Sequence, residues 1–321
     1  MTLAWTTFPL IWVGSLVTTY DAGMAVPDWP STYGYNLLFY PWQTWIAGPW
    51  DLFIEHGHRL LGAFVGLITI AFLVVTFRCD RRRWMQWMAL GMLIAVIAQG
   101  VLGGSRVLFD SRFLALIHGC TGPIFFSLTV IACVLTSPHT TREQAGTCSS
   151  AGHTLQRLSL FTAIFAFLQL VLGAHLRHVA VDTSHEVFRV TVFFHLLMAT
   201  VVLAHGIALA LHVRRHFHDY RPLRRAANGL ALLLCLQMML GGATWVVKYS
   251  WPTWLADFQF AASYTVTAQS LSQSLIVTAH VALGSLILAT ALMLFVRSLH
   301  LLQPSLNATS PNHRGLLGVV V

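Results

Sequence analysis

Four histidines share a local pattern that predicts metal ligation. Each lies near the start of a long apolar stretch and is followed four residues later by glycine or alanine. The four pairs are His58 with Gly62, His118 with Gly122, His195 with Ala199 and His280 with Gly284. Residues i and i+4 share a helix face, so each imidazole would stand one turn from a position with almost no side chain. A flat macrocycle against the helix needs that clearance, and the pattern therefore predicts axial ligation of an iron porphyrin.

The apolar stretches that alternate with these four carry a second repeated pattern. Each has a glycine followed by a small residue near its far end, and three extend to a Gln-x-x-Leu-Gly string. The strings begin at Gln99, Gln169 and Gln237, and the first stretch has Leu10 at the equivalent position before Gly14. Both patterns recur in each half of the chain, which predicts an internal duplication of the kind common in membrane proteins.

Plainer explanations exist for single members of these patterns. Small residues in membrane helices often serve close helix packing, and a lone intramembrane histidine is often a hydrogen-bonded structural residue. Four histidines at equivalent positions favour ligation, because intramembrane polar groups are costly without a function. We expect His58 and His118 to share one iron and His195 and His280 to share a second.

Glu55 breaks the symmetry between the two predicted sites. It precedes His58 by three residues and so shares its helix face, while the positions before the other histidines are apolar: Ala115, Val192 and Val277. A carboxylate beside a bound porphyrin could act as general base or stabilise a developing cation. The structural alternative is a glutamate at the helix end, or one paired with Arg59. A catalytic Glu55 would make the N-terminal half the chemical one and leave an electron-transfer heme in the C-terminal half.

Long apolar helices must position these residues. The chain has 321 residues, of which 56% are hydrophobic and only 9% are charged. Soluble proteins have about a quarter charged residues, so this composition excludes an ordinary soluble protein. A bilayer-spanning helix needs about 20 mostly apolar residues, and eight stretches qualify. They are 3–20, 55–77, 85–105, 113–136, 157–176, 187–211, 227–247 and 272–296. The predicted fold is an all-α membrane protein with eight transmembrane helices, arranged as two pseudo-symmetric four-helix bundles.

A polar segment at 137–156 separates the two halves. We expect an N-terminal half at 1–150 with the site that carries Glu55, a C-terminal half at 151–300 with the electron-transfer heme site, and a cytoplasmic tail at 301–321. Basic residues concentrate in segments on one side, such as 81–83 and 214–225, which predicts that both termini are cytoplasmic. The net charge of +8 is thus a topology signal, so we expect membrane lipids and no nucleic acid as partners.

Two predicted outer loops, at 21–49 and 248–269, are rich in tryptophan, tyrosine and phenylalanine. Such loops often cap a site, although aromatic residues at a membrane interface explain some of this content. We expect the first loop to cover the N-terminal site and the second loop to cover the C-terminal site.

Taken together, the motifs resemble those of the heme A synthase family. They comprise Pro27-Asp28-Trp29-Pro30, Glu55-His-Gly-His58-Arg59, the string from Gln99 to Gly104, His118, the string from Gln169 to His178, His195 and His280. The resemblance covers nearly the whole chain to about residue 300.

This resemblance implies a multi-pass enzyme of the bacterial cytoplasmic membrane that oxidises a ring methyl of heme O to a formyl group. The product, heme A, serves terminal oxidase assembly. It implies heme O as the substrate at His58 and His118, heme b at His195 and His280, and a catalytic Glu55. Heme O synthase and an electron acceptor are the partners that such an enzyme would meet. Many bacterial members have a cysteine pair in the first outer loop, and this loop has none.

Two other functions are compatible with the four histidines. A non-catalytic bis-histidine diheme electron carrier explains them equally well, but it predicts neither Glu55 nor the asymmetry between the halves. A heme-transport protein predicts binding without conversion. The heme extracted from the purified protein distinguishes these functions from a synthase.

Overall fold

A computed structural model describes residues 1–137, 150–179, 183–249 and 270–301. These residues are helical throughout apart from turns, loops and one isolated bridge between Thr32 and Tyr35. They contain eight helices of 18 residues or more. The helices are α1 Thr2–Thr19, α2 Trp50–Cys79, α3 Arg83–Leu108, α4 Arg112–Leu135, α5 Ser150–Arg177, α6 His185–His216, α7 Arg221–Tyr249 and α8 Leu271–Leu301.

The all-helical fold is confirmed, but several helices begin earlier than predicted. α2 begins at Trp50 after Pro49, with Asp51 in its first turn, where a negative charge favours the helix dipole. α7 begins at Arg221, because Pro222 is tolerated in a first turn where no backbone N–H is needed. α5 begins at Ser150, so the predicted linker at 137–156 is too long. Residues 138–149, most of the segment 248–269 and the tail after 301 lie outside the described residues.

Seven helices, α2 to α8, are long and apolar enough to cross a membrane. Many of their apolar side chains face outward, for example Leu67, Ile97 and Met239, which are 60%, 57% and 70% exposed. An outward apolar surface is what a lipid environment requires. Of the eight predicted spans, the first, at 3–20, corresponds to α1, which is helical but is not among these seven. The eighth crossing and the pseudo-symmetry of two bundles therefore stay predictions.

Two apolar clusters hold the described helices together. One is built from α1 to α4 around Leu3, Val65, Met92 and Phe125. The other is built from α5 to α8, and its fully buried members include Leu155, Leu209, Leu230 and Leu294. α8 also packs against α1 and α4, so it is the main contact between the first four helices and the last four.

The α1–α2 loop, residues 20–49, is structured and lies on the start of α2. It contains single 3-10 turns at Ala22–Met24 and Leu37–Phe39 and a short helix at Trp42–Ile46. The Trp45 indole donates a hydrogen bond of 3.0 Å to the Phe53 carbonyl and stacks on the Phe53 ring. These contacts fix one end of the loop beside the first predicted site.

Candidate functional site

His58 on α2 and His118 on α4 face each other. Their ring centres are 6.4 Å apart and their planes make an angle of 87°. Two imidazoles that bind one metal ion from opposite sides, each nitrogen about 2.0–2.1 Å from the metal, have ring centres about 6 Å apart. The separation in this structure therefore fits a bis-histidine site.

His195 on α6 and His280 on α8 form the second candidate pair. They lie close enough for His195 to act electrostatically on His280. The Nε2 atom of His195 is 3.2 Å from the side-chain nitrogen of Gln169, and the Gln237 amide donates to the His280 carbonyl at 3.0 Å. Two glutamines of the repeated string therefore contact the histidine-bearing helices directly.

A glycine on a neighbouring helix seats each of the four imidazole rings. A Cβ atom at Gly14 would lie 2.6 Å from Cε1 of His58, which is closer than real Cβ contacts allow. The equivalent distances are 3.1 Å from Gly103 to His118, 3.1 Å from Gly173 to His195 and 3.2 Å from Gly241 to His280. The two repeated patterns therefore meet, because the glycine of one helix makes room for the imidazole of the next. We call these four glycines the seating glycines.

The small residue one turn after the histidine lies close to the neighbouring helix in three of the four cases, and its role as clearance for a macrocycle stays a prediction. A Cβ at Gly62, Gly122 or Gly284 would make ordinary contacts of 3.7–4.0 Å with the neighbouring helix. The contacted side chains are Leu10, Gln99 and Gln237 respectively. These glycines thus lie where the repeated string packs, and the clearance expected for a macrocycle is not their observed contact.

The ring nitrogens fit the second coordination shell of a metal-bound imidazole. The Nδ1 atoms of His58, His118, His195 and His280 are buried and make no hydrogen bond to described residues, although the rings as a whole are partly exposed. The accessible part of each ring therefore faces away from Nδ1. A ligating histidine commonly turns its second N–H toward a backbone carbonyl.

Three of the rings lie beside such backbone groups. His58 is beside the backbone of Leu10, His118 beside Gln99 and His280 beside Gln237, each outside hydrogen-bonding geometry. In each case the backbone group is four residues before the seating glycine. A small ring movement would let Nδ1 donate while Nε2 binds iron, so these three residues fit axial ligation of heme. His195 differs, because its Nε2 atom is beside Gln169 and would have to exchange that contact for the metal.

Glu55 is buried one turn before His58, with only 2% of its surface exposed. Its Oε1 atom is 2.8 Å from Nη2 of Arg59, and its Oε2 atom accepts a 2.8 Å hydrogen bond from the Val26 amide. The pairing with Arg59 that was the structural alternative is therefore present. Both oxygens have partners, and a carboxylate oxygen retains capacity for a further hydrogen bond.

Arg59 ties the α1–α2 loop to α2. Its Nη1 atom donates to the carbonyls of Asp28 and Ser31 at 2.6 and 3.0 Å, and its Nη2 atom donates to the Val26 carbonyl at 2.7 Å. These acceptors flank the Pro-Asp-Trp-Pro motif. The ion pair with Glu55 thus fixes this motif beside the first histidine pair.

Trp29 of the same motif packs against α3. A Cβ at Gly104 would overlap the Trp29 indole, while the preceding Gly103 seats His118. Gly103 therefore makes room for the His118 imidazole and Gly104 makes room for the Trp29 indole. The Gly-Gly pair in the sequence does not predict the contact with Trp29, because that contact depends on the position of the loop. Arg106, two residues further, donates a 3.1 Å hydrogen bond to the Gly23 carbonyl in the loop.

His56 lies on the opposite side of α2 from His58, as helical periodicity predicts. It is 2% exposed, and its Nδ1 atom is 3.0 Å from the Thr32 hydroxyl. Its ring also packs against Tyr40 and Trp45. His56 therefore belongs to the loop contacts and not to the histidine pair.

Asp28 closes a tight turn in this loop. Its two carboxylate oxygens accept hydrogen bonds of 2.8 Å from the amides of Tyr33 and Gly34. Gly34 has a φ of +79°, which favours glycine. Partial burial pushes the pKa of Asp28 upward, but hydrogen bonds from Gly34, Ser31 and Tyr33 outweigh it and hold the pKa below its usual value.

Two comparisons relate parts of this chain to known proteins. A family model described as cytochrome oxidase assembly protein matches residues 49–180. Heme A synthase of Shouchella clausii (strain KSM-K16) is 25% identical over 171 residues, which are 51% of this chain and 53% of that protein. The chain thus spans about half the length of the curated relative it matches. Both comparisons confirm the predicted resemblance to the heme A synthase family.

The family model covers the first candidate site but not the second. Residues 49–180 include Glu55, His58 and His118 but end before His195 and His280. The seven apolar helices and the family together indicate a multi-pass membrane protein. The interpretation of the second pair depends on its seating glycines, which repeat the contacts of the first pair.

Proposed function

We propose that the protein is a heme A synthase, which oxidises a ring methyl of heme O to a formyl group and so supplies heme A for terminal oxidase assembly. The observation that carries this proposal is a buried carboxylate, Glu55, which among the described residues lies beside one of two similarly seated histidine pairs and not the other. A diheme electron carrier needs no such carboxylate. The resemblance to heme A synthase supports the same conclusion.

Each histidine pair has its own role in this proposal. His58 and His118 hold the substrate, heme O, and His195 and His280 hold heme b. The heme b supplies one-electron transfer when bound. The seating glycines bring each imidazole close to the neighbouring helix, so that one ring edge is fixed and the other is free to bind.

Glu55 is the proposed proton acceptor. Conversion of a methyl to a formyl group passes through an alcohol. With water as the oxygen donor, the methyl and one water give the alcohol, two protons and two electrons, and the alcohol then gives the aldehyde with loss of two more protons and two more electrons. Arg59 and the Val26 amide hold the carboxylate in one orientation, and the remaining lone pairs of its oxygens can accept a proton from the reacting carbon or stabilise developing positive charge. The loop segment tied down by Arg59 helps to exclude water from this side.

The proposal includes an arrangement in the bacterial cytoplasmic membrane. α1 is the eighth span, both termini are cytoplasmic, and the histidine pairs lie in the outer half of the bilayer. The basic segments at 81–83 and 214–225 support this orientation. Heme O synthase would deliver the substrate, and a separate acceptor would remove the electrons.

Pigment analysis of the purified protein tests the proposal. Cells that supply heme O should yield heme O, its hydroxylated derivative or heme A together with heme B. Heme B alone at two per chain would contradict the proposal and favour the diheme carrier. Bound heme that is never converted would indicate a transport protein.

Glu55→Gln and Glu55→Ala test the catalytic role. We expect either variant to lower heme A formation by roughly 10²-fold or more, because a general base contributes about 10²–10⁴-fold. Glu55→Gln keeps an oxygen for the Val26 amide, so retained heme O would show that the site still forms. The matched control is Glu186→Gln, at an exposed glutamate in the first turn of α6. Formation of heme A at near wild-type rates in both Glu55 variants would show that the role is wrong.

A further inference from the structure

Three seating glycines are each followed by a cation on the same helix face. Arg106 is three residues after Gly103, Arg177 is four after Gly173, and Lys248 is seven after Gly241. Spacings of three, four and seven residues return to one face of a helix. α3, α5 and α7 therefore each present an imidazole seat and, one or two turns further along, a positive charge. α1 differs, since Val17 and Thr18 follow Gly14 at the corresponding spacings.

Arg177 lies where α1, α5 and α8 meet. Its Nη1 donates to the Ser15 hydroxyl at 3.1 Å, and its Nη2 donates to the Ser15 carbonyl and to the Thr19 hydroxyl. The Thr19 hydroxyl is 3.4 Å from that of Thr278, two residues before His280. The guanidinium, on the helix that seats His195, is thus close to α8, the helix that carries His280.

The acceptors that Arg177 uses are all neutral. Of the residues that the structure describes, no carboxylate pairs with Arg177 or Lys248, whereas Arg59 is paired with Glu55. A partly buried cation without an anion is costly, and Arg or Lys is disfavoured on the outer side of a membrane. Arg177 is such a cation, on the helix that seats His195, and the exposed Lys248 adds a second positive charge that acts on it, which indicates an anionic ligand.

The surroundings of His178 show that this region is electropositive. Burial, followed by the charges of Arg177, Arg106, Arg112 and Lys248, lowers the pKa of His178 to about 4. The ring is therefore neutral at physiological pH and adds no positive charge. Cations from α3, α4, α5 and α7 all act on this one residue, so they converge on one end of the bundle.

We propose that Arg177 and Lys248 bind a propionate carboxylate of the porphyrin held by His195 and His280, and that Arg106 has the equivalent role at the first pair. The inference rests on the proposed function in so far as it needs a heme at the second pair. A guanidinium binds a carboxylate through two parallel hydrogen bonds, and an ammonium adds a point charge. The phosphate of an anionic lipid is the other source of such an anion.

The experiment compares heme b with its dimethyl ester, which lacks free carboxylates. The full chain carrying His118→Ala, so that only the second pair binds, is purified in detergent without heme and titrated with each ligand. We expect heme b to bind about 10-fold or more tightly than the ester, because a hydrogen bond to a charged group is of this strength. Adding Arg177→Gln should remove most of this preference and leave ester binding unchanged, and Lys248→Gln should remove a smaller part.

Matched variants separate carboxylate binding from a merely structural contact. Arg189→Gln changes an exposed cation of α6 and should leave the preference intact. Ser15→Ala removes one neutral partner of Arg177 and should affect both ligands alike. If Arg177→Gln weakens heme b and ester binding equally, Arg177 only joins α1 to α5 and the proposal is overturned.

Two further outcomes would also overturn the proposal. An unchanged preference in Arg177→Gln would mean that the propionates bind elsewhere. If phosphatidylglycerol in the micelle stabilises the wild type but not Arg177→Gln, while the ester preference persists in both, the site holds a lipid phosphate. Heme binding that does not depend on His195 would instead contradict the second site of the proposed function, and this result is distinguishable from the others.

Discussion

The two histidine pairs share the means of holding a ring but differ in what surrounds it. In both halves a glycine of one helix lies against the imidazole of the next, and Nδ1 is buried. Among the described residues, a buried carboxylate, Glu55, lies beside the first pair, and Arg59 fixes the α1–α2 loop there. The glycine seats and the buried Nδ1 atoms explain how both halves can bind the same kind of group. Glu55 and the fixed loop explain how the first site could be reactive while the second transfers electrons.

The seats themselves also differ in tightness. The contact between Gly14 and the His58 ring is the closest of the four. A Cβ built on Gly14 would lie 2.6 Å from Cε1 of His58, whereas the corresponding distances at the other three seating glycines are 3.1–3.2 Å. Helix α1 also has Leu10 where the other seats have glutamine. The seat of His58 therefore replaces a polar contact by close apolar packing, while α3 in the same half keeps Gln99, which donates to the Thr121 hydroxyl. The second half keeps the glutamine, which contacts His195 itself.

The largest expected effect concerns the ion pair that only the first pair possesses. Arg59→Gln leaves the Glu55 carboxylate buried without its counter-charge, and loss of one partner of a buried pair costs about 3–5 kcal/mol. We expect lower thermal stability and proteolytic cleavage in the α1–α2 loop. The double variant Glu55→Gln/Arg59→Gln should recover much of this stability, because it buries no charge. A double variant as unstable as Arg59→Gln alone would show that Arg59 acts through its loop carbonyls only.

The contrast between α2 and its loop shows what could be predicted from the sequence. Long apolar stretches predict helices well, since about 20 apolar residues have few other stable forms in a membrane. The Glu55–Arg59 pair is visible as an i, i+4 spacing. The carbonyls of Val26, Asp28 and Ser31, which also bind Arg59, could not be predicted, because the path of a loop backbone leaves no periodic pattern in the sequence.

The same limit applies to the imidazole seats. The repeated glycines and histidines were each found as patterns within single helices. The contact between a glycine and a histidine ring depends on the register between two helices, and residue spacing within one helix does not predict that register. The glycines that lie against the His58 and His118 rings are Gly14 and Gly103, on the neighbouring helices. Only the recurrence of both patterns in alternating helices indicated that they belong together.

A smaller effect tests whether the seats differ as their distances suggest. Gly14→Ala places a methyl group within the His58 ring contact, whereas Gly241→Ala requires His280 to move by only a few tenths of an ångström. We expect Gly14→Ala to weaken heme binding at the first pair about 10-fold, and Gly241→Ala to weaken it less at the second, since overpacking costs about 1–3 kcal/mol. Heme content per chain measures both.

Gly100→Ala is the matched control for these substitutions. It adds the same methyl group to α3 where nothing lies within 4 Å, so heme content should not change. Equal losses from Gly14→Ala and Gly241→Ala would show that the two seats tolerate the same movement. The difference between the halves would then lie in Glu55 and the loop alone.

The smallest expected effect separates the loop from the histidine pair it covers. Hydrogen bonds hold the pKa of Asp28 below its usual value of 3.8, so its contribution to loop stability is complete above that pH and is lost as the pH falls through the lowered pKa. Hydrogen exchange of the α1–α2 loop, corrected for intrinsic rates, should therefore rise below about pH 4. Asp28→Asn should remove this pH dependence, whereas Asp51→Asn, at an exposed residue bonded only to the next amide, should not. Because the seating contacts of His195 and His280 involve no carboxylate, heme retention at the second pair should not follow this transition. A simultaneous loss at both pairs would mean that the loop supports the whole bundle end and not the first site alone.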